Sequence, residues 1–293
     1  MTYAPHDLLL TEARKKPELW RLAAGVMLVL ALWFMLGLAF DSLILPVVLA
    51  LTGGADLEYG NDPVGMAVLF GGFLLPTLAV ALTLPILHGR NLASLLGPRR
   101  RLLWQGGRVL AAMAVLMVVI LVLPPYDMGA PVERNMALGR WLTLLPLSLL
   151  LVLIQTSAEE ILFRGYLQQG LAARFQSPLV WMLLPSALFG MGHYMPQQAG
   201  DNAWLIVAVS GFYGLVMADL TARAGSLGPA IAVHFANNVW SLLVVSTPSS
   251  LSGLALMLHP FPMEDVAALR PWVWLDFAVI AVSWLAARLA IRV

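Results

Sequence analysis

Residues Gln155 to Gln169, QTSAEEILFRGYLQQ, follow directly on the apolar run TLLPLSLLLVLI and place two adjacent carboxylates and an arginine where a bilayer-length helix should be. A charged residue at the centre of such a helix costs about 2.5 to 3.5 kcal/mol, so any fold of this chain must compensate Glu159, Glu160 and Arg164. Part of the compensation is local. Glu160 and Arg164 are four apart, with the acid on the N-terminal side, so a helix pairs them on one face. Glu159 lies about 100° around the same helix with no basic residue three or four positions away, and its partner must come from elsewhere in the chain.

The rest of the chain supplies the apolar setting. Of 293 residues, 60% are hydrophobic and only 11% charged, which excludes a soluble globular domain and predicts an all-α polytopic transmembrane bundle. Windows of about 20 residues or more occur at about 22–50, 64–87, 104–124, 142–169, 178–195, 204–222, 227–246 and 272–291, about eight helices. The fifth and seventh are interrupted, one by Pro185 and the other by His234 and the Asn237-Asn238 pair. The first run is too long for a signal-peptide h-region and reads as a retained helix.

A near-zero net charge of +1 gives no basic face for nucleic acid, and zero cysteines remove disulfides, thiol nucleophiles and cysteine metal sites. With the N-terminus placed in the cytoplasm, 14 of the 17 basic residues fall inside, and only Arg134, Arg140 and Arg270 fall outside. The outer loop at 52–63 then holds Asp56, Glu58 and Asp62 with no basic residue. Both termini are thus expected in the cytoplasm, with GPRRR at Gly97–Arg101 as the strongest anchor. Trp20, Trp104, Trp141, Trp181, Trp272 and Trp274 sit near predicted helix ends, as interfacial belts require.

Two histidines lie inside apolar segments, His193 in SALFGMGHYM and His234 in GPAIAVHFANNVW. From residue 176, in the turn between the fourth and fifth helices, Glu159 lies 17 residues back and His193 17 forward. Equal arms of an antiparallel hairpin, about 25 Å each, bring the two to one depth. His234 and Asn238 are four apart and share a face. The small residues Gly190, Gly192, Gly211 and Gly214 allow close helix approach. A carboxylate with a nearby imidazole deprotonates a water, and a second His with an Asn amide donates to an oxyanion. The same groups, Glu159, His193 and His234, are also potential ligands of a divalent metal such as zinc, although no His-x-x-x-His pair fixes two of them on one helix. No cofactor is otherwise expected.

The ordered motifs Glu159-Glu160-x-x-x-Arg164, Phe189-x-x-x-His193 and His234-x-x-x-Asn238, with the context SLGPAIAVHFANN, resemble the CPBP family of intramembrane proteases, which includes CAAX prenyl endopeptidases and the bacterial Abi proteins. The likeness covers about residues 142–245. It implies an active site inside the membrane, with Glu159 and His193 activating water, His234 and Asn238 forming the oxyanion hole, and Glu160 and Arg164 in support. The family has been described both as metalloprotease and as glutamic protease. The implied substrate is a membrane-embedded or lipid-modified protein or peptide, in a bacterial cytoplasmic membrane. Residues 1–130 then form an N-terminal helical part with a basic tail, 131–250 the catalytic core, and 251–293 a loop and last helix. The alternatives are a non-catalytic scaffold or bacteriocin-immunity protein of that family, and a proton-coupled transporter, which predicts a repeat between halves that the chain lacks.

Overall fold

The computed structural model describes residues 3–52, 57–123, 131–248 and 250–292, so Asp56 of the acidic loop lies outside the described residues. A short amphipathic helix α1 (Asp7–Ala13) precedes α2 (Leu19–Leu51), α3 (Pro63–His88), α4 (Arg99–Val122), α5 (Leu138–Arg174), α6 (Leu179–Met191), α7 (Pro196–Ala224), α8 (Gly228–Val239, wound on through Trp240–Val244) and α9 (Val266–Ile291). Among the described residues six of these, α2, α3, α4, α5, α7 and α9, are long and apolar enough to cross a bilayer. The chain is an integral multi-pass membrane protein. All eight expected windows carry a helix, but the fifth and seventh, α6 and α8, are the shorter ones.

The ends of the helices follow local chemistry. Asp62 caps α3 by accepting from the backbone amides of Val64 and Gly65, with Pro63 in the first turn, where a missing amide costs nothing. Asp265 caps α9 through Ala268 N at 3.0 Å. Gly225, with φ of 64°, closes α7 in the left-handed conformation. Helix α6 stops at Met191, short of the expected 195, and Met195, before Pro196, is already outside the helical region at φ −131°, ψ 71°. His193 therefore sits in a tight turn beyond the helix, its amide bonded to Gly190 O at 2.9 Å.

Helix α7 is the central element, with 56% of its spanning window buried against 17% for α2 and α4. It packs on α6, α8 and α9, while α8 lies against α4 and α5. In lipid, association rests on close packing and polar contacts rather than water exclusion. The α6–α7 crossing shows how. A Cβ on Gly190 would stand 2.6 Å from Val207 O, and one on Gly214 would stand 3.0 Å from Ser186. Gly192 plays no such part, since only its own helix lies beside it.

One end of the bundle is closed by three two-residue strands, β1 (Glu133–Arg134), β2 (Val245–Ser246) and β3 (Met257–Leu258), in the order β1-β3-β2, antiparallel then parallel. Trp141 fastens this cap by donating to Leu243 O at 2.8 Å. The other end gathers the basic residues. There α1 lays Leu9, Leu10 and Ala13 onto the bundle, and Tyr3 and His6 pack on Trp181, which is buried rather than part of an interfacial belt.

Candidate active site

The charged stretch that opens the sequence argument lies where the last regular turn of α5 gives way to a π-helical segment, Ile161–Leu167, immediately after the two glutamates. Such wider turns are frequent at functional sites, and four others occur among the described residues, at Phe40–Ile44, Leu84–His88, Leu179–Leu183 and Trp240–Val244. Arg164 donates to Glu160 Oε1 at 2.9 Å, so the i,i+4 pair forms on one face, with the arginine 1% and the glutamate 0% exposed. The guanidinium also lies over the Phe189 ring, 4.6 Å from its centroid, a cation–π contact that helps hold a buried cation.

Helix α8 brings His234 against both glutamates. Its Nδ1–H donates to Glu160 Oε1 at 2.8 Å, and its Nε2 stands 3.6 Å from Glu159 Oε2. The two carboxylates thus differ. Glu160 is enclosed and grips Arg164 and His234, whereas the Glu159 side chain is 17% exposed and keeps Oε2 free of any hydrogen bond among the described residues.

Gln155 completes the frame, and the sequence argument assigned it no role. Its amide donates to Glu159 Oε1 at 2.6 Å while its carbonyl accepts from Asn238 Nδ2 at 2.8 Å. Asn238 is therefore tied to Glu159 through one side chain, with one amide hydrogen left over. The signal was present, since Gln155 is one turn before Glu159 on the same face. Tyr213 of α7 was also missed. Its ring meets His234 edge-on at 5.1 Å, and its buried hydroxyl has no partner among the described residues. A phenol in a glycine-flanked apolar helix offers no pattern that points to α8.

His193 is brought to the same neighbourhood by Phe189, whose ring lies 4.7 Å from His193 and 6.2 Å from His234. Its Nδ1–H donates to Phe189 O at 2.8 Å, which leaves Nε2 as the second ring atom for other work. The imidazole within ion-pair distance of Glu159 is that of His234, and no ion pair joins Glu159 to His193 among the described residues. Among the described residues no three His, Asp or Glu side chains converge there as a metal-holding group.

Unmet hydrogen-bonding capacity is concentrated here. Glu159 Oε2, Glu160 Oε2, Arg164 Nη2 and Tyr213 Oη are all buried without a protein partner among the described residues. Buried polar atoms seldom stay that way, and a water or a peptide group would satisfy them.

Residues 141–240 match the Rce1-like family, the type II CAAX prenyl endopeptidases. The Rce1-like segment contains every residue of the site just described, and it bears out the resemblance carried by the three motifs. The chain is also 34% identical over 116 residues to the uncharacterized protein YyaK of Bacillus subtilis (strain 168), a match that covers 39% of this chain and 38% of that relative. No solved structure matches it. The Rce1-like match supports a CAAX-type intramembrane protease fold.

Proposed function

We propose that this protein is an intramembrane endopeptidase that hydrolyses a peptide bond of a membrane-embedded or lipid-modified protein, with both termini in the cytoplasm of a bacterial cell. The observation that carries this reading is the division of labour between the glutamates. A fully enclosed Glu160, whose Oε1 is bonded to both Arg164 and His234, orients His234, and a partly exposed Glu159 keeps Oε2 free beside it.

In this reading a water donates a hydrogen bond to Glu159 Oε2 and is oriented by His193 Nε2. Glu159 takes a proton as the water oxygen adds to the scissile carbonyl carbon. The developing oxyanion accepts from His234 Nε2–H and from the remaining Asn238 amide hydrogen. Glu160 holds Nδ1–H of His234, so a proton on Nε2 makes the ring a double donor. The proton on Glu159 then passes to the peptide nitrogen, the C–N bond breaks, and an amine and a carboxylic acid leave. Gln155 keeps the base and the Asn238 donor at a fixed separation. No metal enters any step.

The test is cleavage of membrane-embedded and lipid-modified peptides by purified protein in detergent, comparing wild type, Glu159→Gln and His234→Ala with and without a strong chelator. Cleavage by wild type alone that survives chelation is expected. Loss on chelation with recovery on added zinc would move Glu159 and the histidines to ligand roles, and equal turnover by all three proteins would sink the assignment. Absence of turnover in all of them would favour a membrane scaffold.

A further inference from the structure

Beyond the glutamates along α5, a cleft opens between the end of α1, the start of α2, the end of α3 and α5. It is lined by Lys16, Glu18, His88, Arg90, Tyr166 and Gly170, among others, and encloses about 330 Å³ including its open side. Arg90 is 9% exposed, yet no carboxylate lies within ion-pair distance of it among the described residues. Neutral oxygens hold it. Its Nε donates to Ser94 Oγ at 2.9 Å, and its Nη2 donates to Gln169 Oε1 at 2.6 Å and to Ser94 O at 3.4 Å. Its Nη1 has no protein partner among the described residues.

Lys16 is likewise without a carboxylate, and it sits against the turn beside Arg90. The left-handed Gly89 makes that possible, since a Cβ there would stand 3.1 Å from Lys16 Nζ. Arg21, bonded to Leu87 O at 2.9 Å, adds a third cation, offset by Glu18 at 3.1 Å. The other nearby acid, Glu12, is taken by Lys15 at 2.7 Å. His88 lends a ring to the wall and is held by Tyr166 Oη at 2.9 Å, at a place where Gly25 has no side chain because a Cβ would overlap that hydroxyl. With Glu12 and Glu18 paired to Lys15 and Arg21, the buried Arg90 and the neighbouring Lys16 are left with no carboxylate in ion-pair contact, a setting that an anion in the cleft would stabilise.

We propose that Arg90 and Lys16, with His88 and Tyr166 behind them, form a binding site for a phosphate group, supplied by an anionic lipid headgroup. A phosphate group in the cleft would accept charge-assisted hydrogen bonds from Arg90 and from Lys16 Nζ. Leu19, Trp20 and Ile86, at 43%, 58% and 64% exposure, put the surrounding surface on the bundle perimeter, where headgroups and acyl chains meet the protein. Because Gln169 grips Arg90 from α5, an occupied site braces the helix that also bears Glu159 and Glu160.

Native mass spectrometry of the full chain in neutral detergent, titrated with short-chain phosphatidylglycerol or phosphatidylcholine, reads this directly, and glycerol phosphate supplies the free-phosphate arm. One phosphatidylglycerol is expected to bind in preference to phosphatidylcholine, about tenfold more weakly in Arg90→Gln, as for the loss of one charge-assisted bond. Lys16→Gln, a partly exposed position that leaves the Arg90 bonds intact, is expected to weaken binding about threefold. Lys15→Gln, exposed and already paired, is expected to leave it unchanged. Binding of glycerol phosphate as tight as that of the lipid, with the same variant pattern, would keep the phosphate site and assign it to a soluble phosphate. No one-to-one binding in either arm, or equal weakening by Lys15→Gln and Lys16→Gln, would overturn the proposal.

Discussion

Two buried carboxylate centres in this bundle are built from similar parts and finished differently. Asp219, near the end of α7, accepts from Tyr3 Oη and Arg223 Nε at 2.8 Å on one oxygen and from Trp284 Nε1 at 2.9 Å on the other, so neither oxygen is left over. The Glu159–Glu160 centre has an arginine, a histidine and a glutamine, yet each glutamate keeps one oxygen without a partner. A saturated carboxylate has its hydrogen bonds committed to protein and serves as a fastening. An unsaturated one, in a setting where unmet polar groups are costly, is arranged for something that arrives.

The sharpest way to break that contrast is Glu159→Gln. It keeps the Gln155 contact and the volume but removes the base, so cleavage is expected to fall about 10²- to 10⁴-fold while the unfolding midpoint in detergent stays put. A variant with wild-type turnover would place the base elsewhere. Glu160→Ala is expected to do the opposite. It strands Arg164 and His234 in the core, at a cost of about 3–5 kcal/mol in denaturant unfolding. If Glu160→Ala proved as stable as wild type, the fastening role of that residue would be lost.

Much of this was legible in advance, for physical reasons that also explain what was not. The eight apolar windows are a solvent requirement imposed on every residue, and the Glu160–Arg164 pair depends only on helical spacing. Both needed no knowledge of the neighbouring helices. The position of His193 depended on where α6 ends, and equal hairpin arms assumed a helix through His193, whereas α6 stops at Met191. Gln155 was in view within the quoted stretch, but its meaning depends on Asn238, 83 residues away. Asp219 showed its i,i+4 partner Arg223 in sequence. Tyr3 is 216 residues distant, and nothing local announces it.

The Asp219 end offers its own sharper test through pH, because the N-terminal segment that fastens to it also buries His6. That ring is 3% exposed against Trp181, and desolvation pushes its pKa down to about 4, despite the opposing pull of Asp7. The folded form thus prefers neutral His6. Its contribution is complete above the unfolded value of about 6.5 and disappears as pH falls from there to about 4, a loss of about 3 kcal/mol. Hydrogen-exchange protection over residues 3–13, taken relative to the intrinsic rate at each pH, should fall in that window, and His6→Phe should remove the dependence. The glutamate centre carries no such strap, so exchange in α8 is expected to lag behind. Simultaneous loosening of both would show that the segment and the core unfold as one unit.

The smallest expected effect is also the most local. Tyr3→Phe deletes one of the three donors to Asp219 and keeps the ring, which lies 4.8 Å beneath the Arg223 guanidinium and edge-on to Trp181. Burial and the Asp219 carboxylate both raise the Tyr3 pKa, so the phenol remains a donor across the working range. A hydrogen bond to a charged acceptor is worth about 1.5–3 kcal/mol, and Tyr3 is only partly buried, so a loss of about 1.5 kcal/mol is expected in unfolding. Turnover should not change, since Arg223 and Trp284 still hold Asp219 on both oxygens. A Tyr3→Phe protein that kept full stability but lost activity would mean that the fastening at this end is felt at the glutamates, and the division between a closed carboxylate for structure and an open one for chemistry would have to be redrawn.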